Sequence, residues 1–313
     1  MLKYIIIILD DTSVSFCHYN AASEKRLIPL ETLRDGIVFA MKENLNVQFV
    51  YPEYDLPKEY EKIIESVDHA KIKPVEKSED ADVIILRNWQ NKKYLYSDKS
   101  TCTIHSSRIE LKNGLAGIKE MFNKMSRLNI VLTDIETFKD EDESDYISIL
   151  AELSDMVIDR ITQGRNVQLN ILTDRLLLTN MNNCDAGNTN ITLAPNGNFY
   201  LCPAFYYDNQ ENSIGNLNDG LIIKNQQLLW LDHAPICRHC DAFQCKRCLW
   251  LNNKLTMDIN TPSHQQCVIA HLERNASRYI QQELKNRGLK LQGTDEIEEI
   301  DYLDPFKNYK KWQ

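Results

Sequence analysis

Cys237-Arg-His-Cys240-Asp-Ala-Phe-Gln-Cys245-Lys-Arg-Cys248 holds two C-x₂-C pairs separated by four residues. That spacing lets both sulfurs of a pair turn toward one ion. A zinc ribbon normally leaves a much longer gap between its pairs, so a single tetrathiolate zinc built from all four is cramped. Iron–sulfur cores, whose irons are spread over several ångströms, accept ligands from compact and distant segments together. Arg238, Lys246 and Arg247 would offset the charge of thiolate-bound metal and favour deprotonated sulfur. His239, between two of the cysteines, is a candidate hydrogen-bond donor to a cluster sulfur or a zinc ligand, against the plainer reading of an exposed loop histidine.

Outward from this stretch the thiols continue. Cys184, Cys202 and Cys267 bring the total to seven within 84 residues, leaving only Cys17 and Cys102 elsewhere. The whole follows C-x₁₂-G-x₄-C through Cys184, Gly197 and Cys202, then the double pair, then Cys267. The opening lacks the basic start, longer apolar centre and cleavage site of a secretory signal, so a cytoplasmic location is expected. Thiols stay reduced there, and a dense group of them points to metal ahead of disulfides. A zinc-stabilised structural or interaction protein with no redox role is the alternative.

The first 180 residues alternate strand-like and helix-like segments, the pattern of a parallel sheet with helices packed on it. Strands are expected at Lys3 to Leu9, Val47 to Tyr51, Val83 to Leu86, Thr101 to His105, Asn129 to Leu132 and Val167 to Leu172. Helices are expected from Pro29, around Tyr60 to Val67, around Leu115 to Met125, and over Tyr146 to Ile161. From Cys184 the chain becomes loop-rich, with strands at Ile191 to Ala194 and Phe199 to Cys202 joined through Pro195-Asn196-Gly197. Val268 to Leu284 keeps helical spacing until Gly288. The end runs acidic (Asp295, Glu296, Glu298, Glu299) and then basic and aromatic (Lys307, Tyr309, Lys310, Lys311, Trp312), as a solvated terminus does.

Composition removes other classes. With 43% hydrophobic and 26% charged residues, 10 Gly and 9 Pro in 313, the chain is an ordered globular one. Its longest apolar run, Tyr4 to Leu9, is about a third of the ~20 residues that cross a bilayer, so no membrane partner is expected. A net charge of −9 argues against nucleic acid as the main ligand. No Ser-His-Asp order, Walker loop, H-E-x-x-H or G-x-G-x-x-G occurs, which leaves hydrolase, nucleotide-phosphate and dinucleotide readings unsupported.

The cysteine order from Cys184 to Cys267 resembles the SPASM domain, the auxiliary-cluster extension behind the barrel of many radical SAM enzymes that modify peptides and proteins. Two spacings in the double pair are each one residue shorter than the family's usual form. The resemblance implies an α/β fold: a partial (β/α) barrel at residues 1–180, a cysteine-dense SPASM domain with a C-terminal helix at 181–290, and a charged tail at 291–313. It also implies two 4Fe-4S clusters, one held by Cys237, Cys240, Cys245 and Cys267, the other by Cys184, Cys202 and Cys248. The second set lacks a fourth thiol; an open iron, water, a carboxylate such as Asp185 or a peptide ligand would fill it.

The front half departs from that family. A radical SAM barrel carries C-x₃-C-x₂-C after its first strand, to leave one iron for S-adenosylmethionine. Here the loop is Asp11-Thr-Ser-Val-Ser-Phe-Cys17-His-Tyr-Asn20, with one thiol. The Gly-Gly-Glu-Pro-like turn of the family is replaced by Val50-Tyr51-Pro52-Glu53. The chain thus resembles a pseudo-radical-SAM protein, and S-adenosylmethionine is not an expected cofactor. Its opening, from Leu2 to Tyr19, resembles the start of the CXXX repeat peptide maturases. That resemblance implies a thiol-rich, ribosomally made precursor peptide as partner, with either a role in the chemistry or a recognition role beside a separate modifying enzyme. No catalytic residue follows from the sequence: Cys17-His18 sits at the expected barrel mouth, but neighbours in a strand point to opposite faces. Asp10, Asp11 and Glu53 are candidates for a cation or ligand site, against plain capping roles. Cys102 is expected to be a small core residue.

Overall fold

The computed structural model describes residues 2–89, 101–178, 182–230, 233–240, 245–289, 291 and 293–299. Along the chain come β1 (Tyr4–Ile8), α1 (Leu30–Lys42), β2 (Asn46–Val50), α2 (Lys58–Ile64), β3 (His69–Pro74) and β4 (Val83–Leu86). Next are β5 (Thr101–Ser106), α3 (Arg108–Met121), β6 (Arg127–Leu132), α4 (Glu143–Thr162), β7 (Gln168–Leu169), α5 (Thr173–Leu176) and β8 (Asn182–Asn183). The remainder is β9 (Asn190–Leu193), β10 (Phe199–Tyr200), α6 (Pro203–Asp208), β11 (Gly215–Asn216), β12 (Gly220–Leu221), β13 (Lys246–Arg247), α7 (Leu249–Thr256) and α8 (His264–Asn286). Two compact units result, one of Met1–Leu86 with Asp185–Trp230, the other of Arg87–Cys184 with Leu231–Gln313.

In the first unit β1 lies between β2 and β9 and is parallel to both, with Ile5 opposite Val47 on one side and Ile191 on the other. Parallel strands covered on both faces are apolar without alternation, which is why Tyr4 to Leu9 forms one continuous run. Ile5, Ile7 and Leu9 pack with Leu33 and Ile37 of α1 and Tyr60 and Ile64 of α2. Ile6 faces the other way and packs with Val50, Ile72, Ile85 and Val14. The hairpin expected around Asn196-Gly197 is present: β10 runs antiparallel on β9, and Gly197 takes the positive φ of 82° that the turn needs. Sequence reading assigned these strands to the loop-rich module; β9 extends the parallel sheet instead.

The second unit carries β5, β6 and β7, paired in parallel in that order. Helix α3 opens on a Ser107/Glu110 capping box and α8 on a Ser263/Gln266 one, each satisfying backbone donors at a helix start. Helices α4 and α8 pack along one another. After Gly288 the chain returns along α8: Ile297 is buried, its N–H donates to Gln281 Oε1 at 2.9 Å, and Arg278 pairs with Glu299 at 2.9 Å. This acidic stretch is therefore docked where a solvated one was expected. Lys307, Tyr309, Lys310, Lys311 and Trp312 lie outside the described residues, as do the side chains of His239, Lys246 and Arg247. Among the described residues no helix is long and apolar enough to cross a membrane.

Candidate metal centre

Three of the seven clustered cysteines pack together in the second unit against α8, the helix that carries a fourth, Cys267. A short 3₁₀ turn, Cys237–His239, closes with Cys240 N–H donating to the Cys237 carbonyl at 3.1 Å, which folds the first C-x₂-C pair back on itself. Cys237 and Cys245 are buried against Ala234 and Ala270, with Cys240 packed on the same cluster. Ala270 is on α8, three residues beyond Cys267, and side chains three apart share a helix face. Cys267 is itself buried. Three of the expected thiols thus share one buried cluster with Ala270 of α8, and Cys267 lies one turn before Ala270 on the same helix face.

Charge surrounds it. Burial pushes the Cys245 thiol up to about 12; Cys240 and Cys237 push the same way, while Arg175 and Arg274 oppose them. Arg175 (α5) and Glu273 (α8) form an ion pair with side chains only 4% and 6% exposed. Tyr146 of α4 donates to Glu273 Oε1 at 2.9 Å, and Arg175 Nε donates to the Ile171 carbonyl at 3.1 Å. Arg274 is 1% exposed and donates to the Glu298 carbonyl at 2.7 Å. Sequence reading passed over Arg175, Glu273 and Arg274. For Glu273 and Arg274 the one signal was charge falling on the stripe of α8 that carries Cys267, Ala270 and Ser277, where apolar residues belong; Arg175, on α5, gave none.

A second pair of thiols is set by strand register. Strands β8 and β13 are parallel, with Asn182 opposite Lys246 and Asn183 opposite Arg247. The next residues of these strands are Cys184 and Cys248, which the register leaves side by side. Burial drives the Cys248 thiol up to about 12, with Cys184 adding to it, although the Leu251 N–H donates to the sulfur at 3.4 Å. Cys202 belongs to the first unit, where it precedes Pro203 at the start of α6. Among the described residues no three His, Cys, Asp or Glu side chains stand close enough to hold a single metal ion. Ligands to a four-iron core stand further apart than ligands to one ion, and an all-thiolate donor set suits such a core.

At the end of β1 in the first unit the candidate carboxylates are engaged within the protein. Asp10 accepts from Thr12 N–H at 2.8 Å and from the Tyr54 hydroxyl at 2.8 Å, while Ser13 Oγ donates to the Val50 carbonyl at 2.8 Å. Asp11 accepts from Arg26 Nε at 2.8 Å and from the Tyr206 hydroxyl, which itself accepts from Arg26 at 2.6 Å. Burial and the Asp11 carboxylate raise the Tyr206 phenol. Tyr19 stacks on Tyr207 at 4.9 Å, and its buried phenol is raised by desolvation first and then by Cys17, Tyr207 and Cys202. Val14 and Phe16 of the same loop cover Ile6, Val50, Ile72 and Ile85. Glu53 is exposed, and Cys102 is a buried core thiol that burial raises to about 12.

No protein-family model matches this chain, and no curated protein matches it. Among solved structures it is similar to "Native anSMEcpe with bound AdoMet and Cp18Cys peptide", an anaerobic sulfatase-maturating enzyme of the radical SAM/SPASM kind. The TM-score is 0.61 at 10% identity, over 91% of this chain and 99% of that one. It is similar also to a histidine-tagged form of anSMEcpe with bound AdoMet, with a TM-score of 0.52, 11% identity and the same coverage. At such identity the likeness shows the fold: α/β, mostly parallel, of the radical SAM-like partial-barrel type.

Proposed function

We propose that this chain is an iron–sulfur component of a peptide-maturation system, engaging a ribosomally made, cysteine-rich precursor peptide and performing no SAM-radical chemistry of its own. The observation that carries this reading is the buried packing of Cys237, Cys240 and Cys245 against Ala270, one turn along α8 from Cys267. Four thiols around one helix face are the donor set of a four-iron cluster. When bound, such a cluster transfers single electrons, and one with an incomplete thiolate set also offers an iron to an incoming thiolate. Cys184 and Cys248, adjacent by register, would supply part of a second set. The similar solved structure with a bound Cys-containing peptide supports peptide as the partner class.

The front loop supports the absence of SAM chemistry. Its one cysteine falls short of the three thiols that a SAM-binding cluster uses, and Val14 and Phe16 of the loop pack on Ile6, Val50, Ile72 and Ile85. The carboxylates beside it are spent on Tyr54, Thr12, Arg26 and Tyr206. What remains for this chain is to hold clusters, bind the peptide and present it, in the cytoplasm, to a separate modifying enzyme.

Anaerobic purification tests the reading. The expected product is brown and carries about eight irons per chain for two four-iron clusters. Cys240→Ser should remove about half of that iron and destabilise the second unit, because metal binding and local folding are coupled. With dithionite and S-adenosylmethionine the chain alone should release no 5′-deoxyadenosine. Colourless protein with stoichiometric zinc, or steady 5′-deoxyadenosine formation, would overturn the proposal.

A further inference from the structure

Helix α8 presents Cys267, Ala270, His271 and Arg274 at steps of three and four, so they form one stripe along its length. Ala270 shares one buried cluster with Cys237 and Cys245. Arg274 follows one turn later on the same face, is 1% exposed, and acts electrostatically on the Cys245 thiol. Arg175 of α5 forms its buried ion pair with Glu273, the residue before Arg274, and likewise acts on the Cys245 thiol. Tyr146 and the carbonyls of Ile171 and Glu298 take up donors and acceptors around this floor. Two buried guanidinium groups thus act on one buried thiol of this group, and one of them is paired with the buried Glu273 carboxylate.

We propose that Arg274 and Arg175 are the charge-compensating floor of the cluster held by Cys237, Cys240, Cys245 and Cys267, and that Arg274 above all sets its reduction potential. The inference rests on the cluster reading above and deepens it. A thiolate-ligated four-iron core is anionic and becomes more so on reduction. Burying a guanidinium is costly unless opposite charge meets it, and an anionic cluster one turn away from Arg274 supplies that charge. The benefit is mutual: the cation favours the thiolate form of the ligands and stabilises the reduced cluster more than the oxidised one. Glu273 works against both, and Arg175 offsets it. These are positioning residues that act on the metal through space without ligating it, a lever known to tune clusters.

The test is a reductive titration with dithionite, followed by visible absorbance and electron paramagnetic resonance. It reads the couple that disappears in Cys240→Ser. Arg274→Leu should move that midpoint to more negative potential, Arg274→Lys should leave it near the parent value, and Glu273→Gln should move it to more positive potential. Iron loss from Arg274→Leu but not from Arg274→Lys would support the same conclusion, since charge is then what the site needs. A second readout separates charge from packing: after chelation Arg274→Leu should be no less stable than the parent, whereas loaded it should be less stable. Equal midpoints in all three variants, iron lost from Arg274→Lys as well, or equal destabilisation in loaded and chelated forms would overturn the proposal. A parent chain without iron would sink the cluster reading itself, a result distinct from an iron-loaded parent whose midpoint the variants do not move.

Discussion

Arg175→Met probes the energetics of the buried floor most directly. Arg175 and Glu273 are almost wholly out of water, and Glu273 has Tyr146 as a further donor. Removing only the cation strands a carboxylate in a dry interior with one phenolic hydrogen bond, a class of change that costs about 3–5 kcal/mol. For a unit of this size each kcal/mol lowers the melting temperature by roughly 2–4 °C, so the variant should melt about 6–20 °C lower. Removing both charges, as Arg175→Met with Glu273→Leu, relieves a desolvation cost of about 1–4 kcal/mol. It also leaves the Tyr146 hydroxyl without its acceptor, a loss of about 1–3 kcal/mol. The double variant should therefore lie close to the parent; Glu273→Leu alone strands the Arg175 cation at a similar cost, so the cycle should give a coupling of about 6–10 kcal/mol. Calorimetry and guanidinium unfolding followed by circular dichroism measure this, on loaded protein and again after chelation. A loss under about 1 kcal/mol in the single variant is the size of an exposed ion pair; it would mean that water reaches the site and that the floor is not buried.

Further outcomes follow from other parts of the molecule. Tyr206→Phe deletes the hydroxyl between Asp11 and Arg26 and should cost about 1.5–3 kcal/mol, the range for hydrogen bonds to charged groups, read in urea unfolding of the first unit; an unchanged midpoint would show that the front network is not holding the loop. Gly215→Ala puts a methyl 2.0 Å from the Gly220 carbonyl oxygen at a φ of 125°, so it should destabilise by about 1–3 kcal/mol or more and expose the β11–β12 turn to protease. Burial works against ionising Asp80, but Lys71 and Lys73 hold its carboxyl down to about 2 from 3.8. A depressed folded-state value adds stability above the unfolded pKa and loses it as pH falls from about 4 to 2. Asp80→Asn should flatten that part of the acid limb, by a small amount because the site is half exposed.

The strongly patterned elements were legible in the sequence. Strand β1, helices α1, α3, α4 and α8, and strands β2, β4, β5 and β6 all lie where apolar runs or helical stripes place them. Strand β3 did not show, because Lys71 and Lys73 alternate with its inward Ile72 and their ammonium groups reach out to Asp80. Strand β7 is shorter than its apolar stretch suggests: the Asn170 amide accepts from Ile130 N–H at 2.8 Å and donates to the Ile130 carbonyl at 2.9 Å, so a side chain continues the ladder where backbone would. The cysteine spacing located the thiols but not their surroundings. Glu273 and Arg274 look like ordinary helical charges until the packing of α4 and the returning chain end against α8 turns them inward.

The two ends of the chain use buried polarity in opposite ways. At the end of β1, Asp10, Asp11, Arg26, Tyr54 and Tyr206 close a network in which carboxylates and hydroxyls already serve one another. A network satisfied from within holds its fold and offers little to a ligand. Around α8 the buried groups are thiols, weak donors and weaker acceptors, bordered by guanidinium groups that no apolar core requires. Thiols packed as small hydrophobes gain nothing from neighbouring cations, whereas thiolates on a metal gain a great deal. On the cluster reading proposed above, the arginines are partners of a charge that the cysteines acquire only when they ligate, and that reading puts the chemistry at the thiols of the second unit and not at the loop after the first strand.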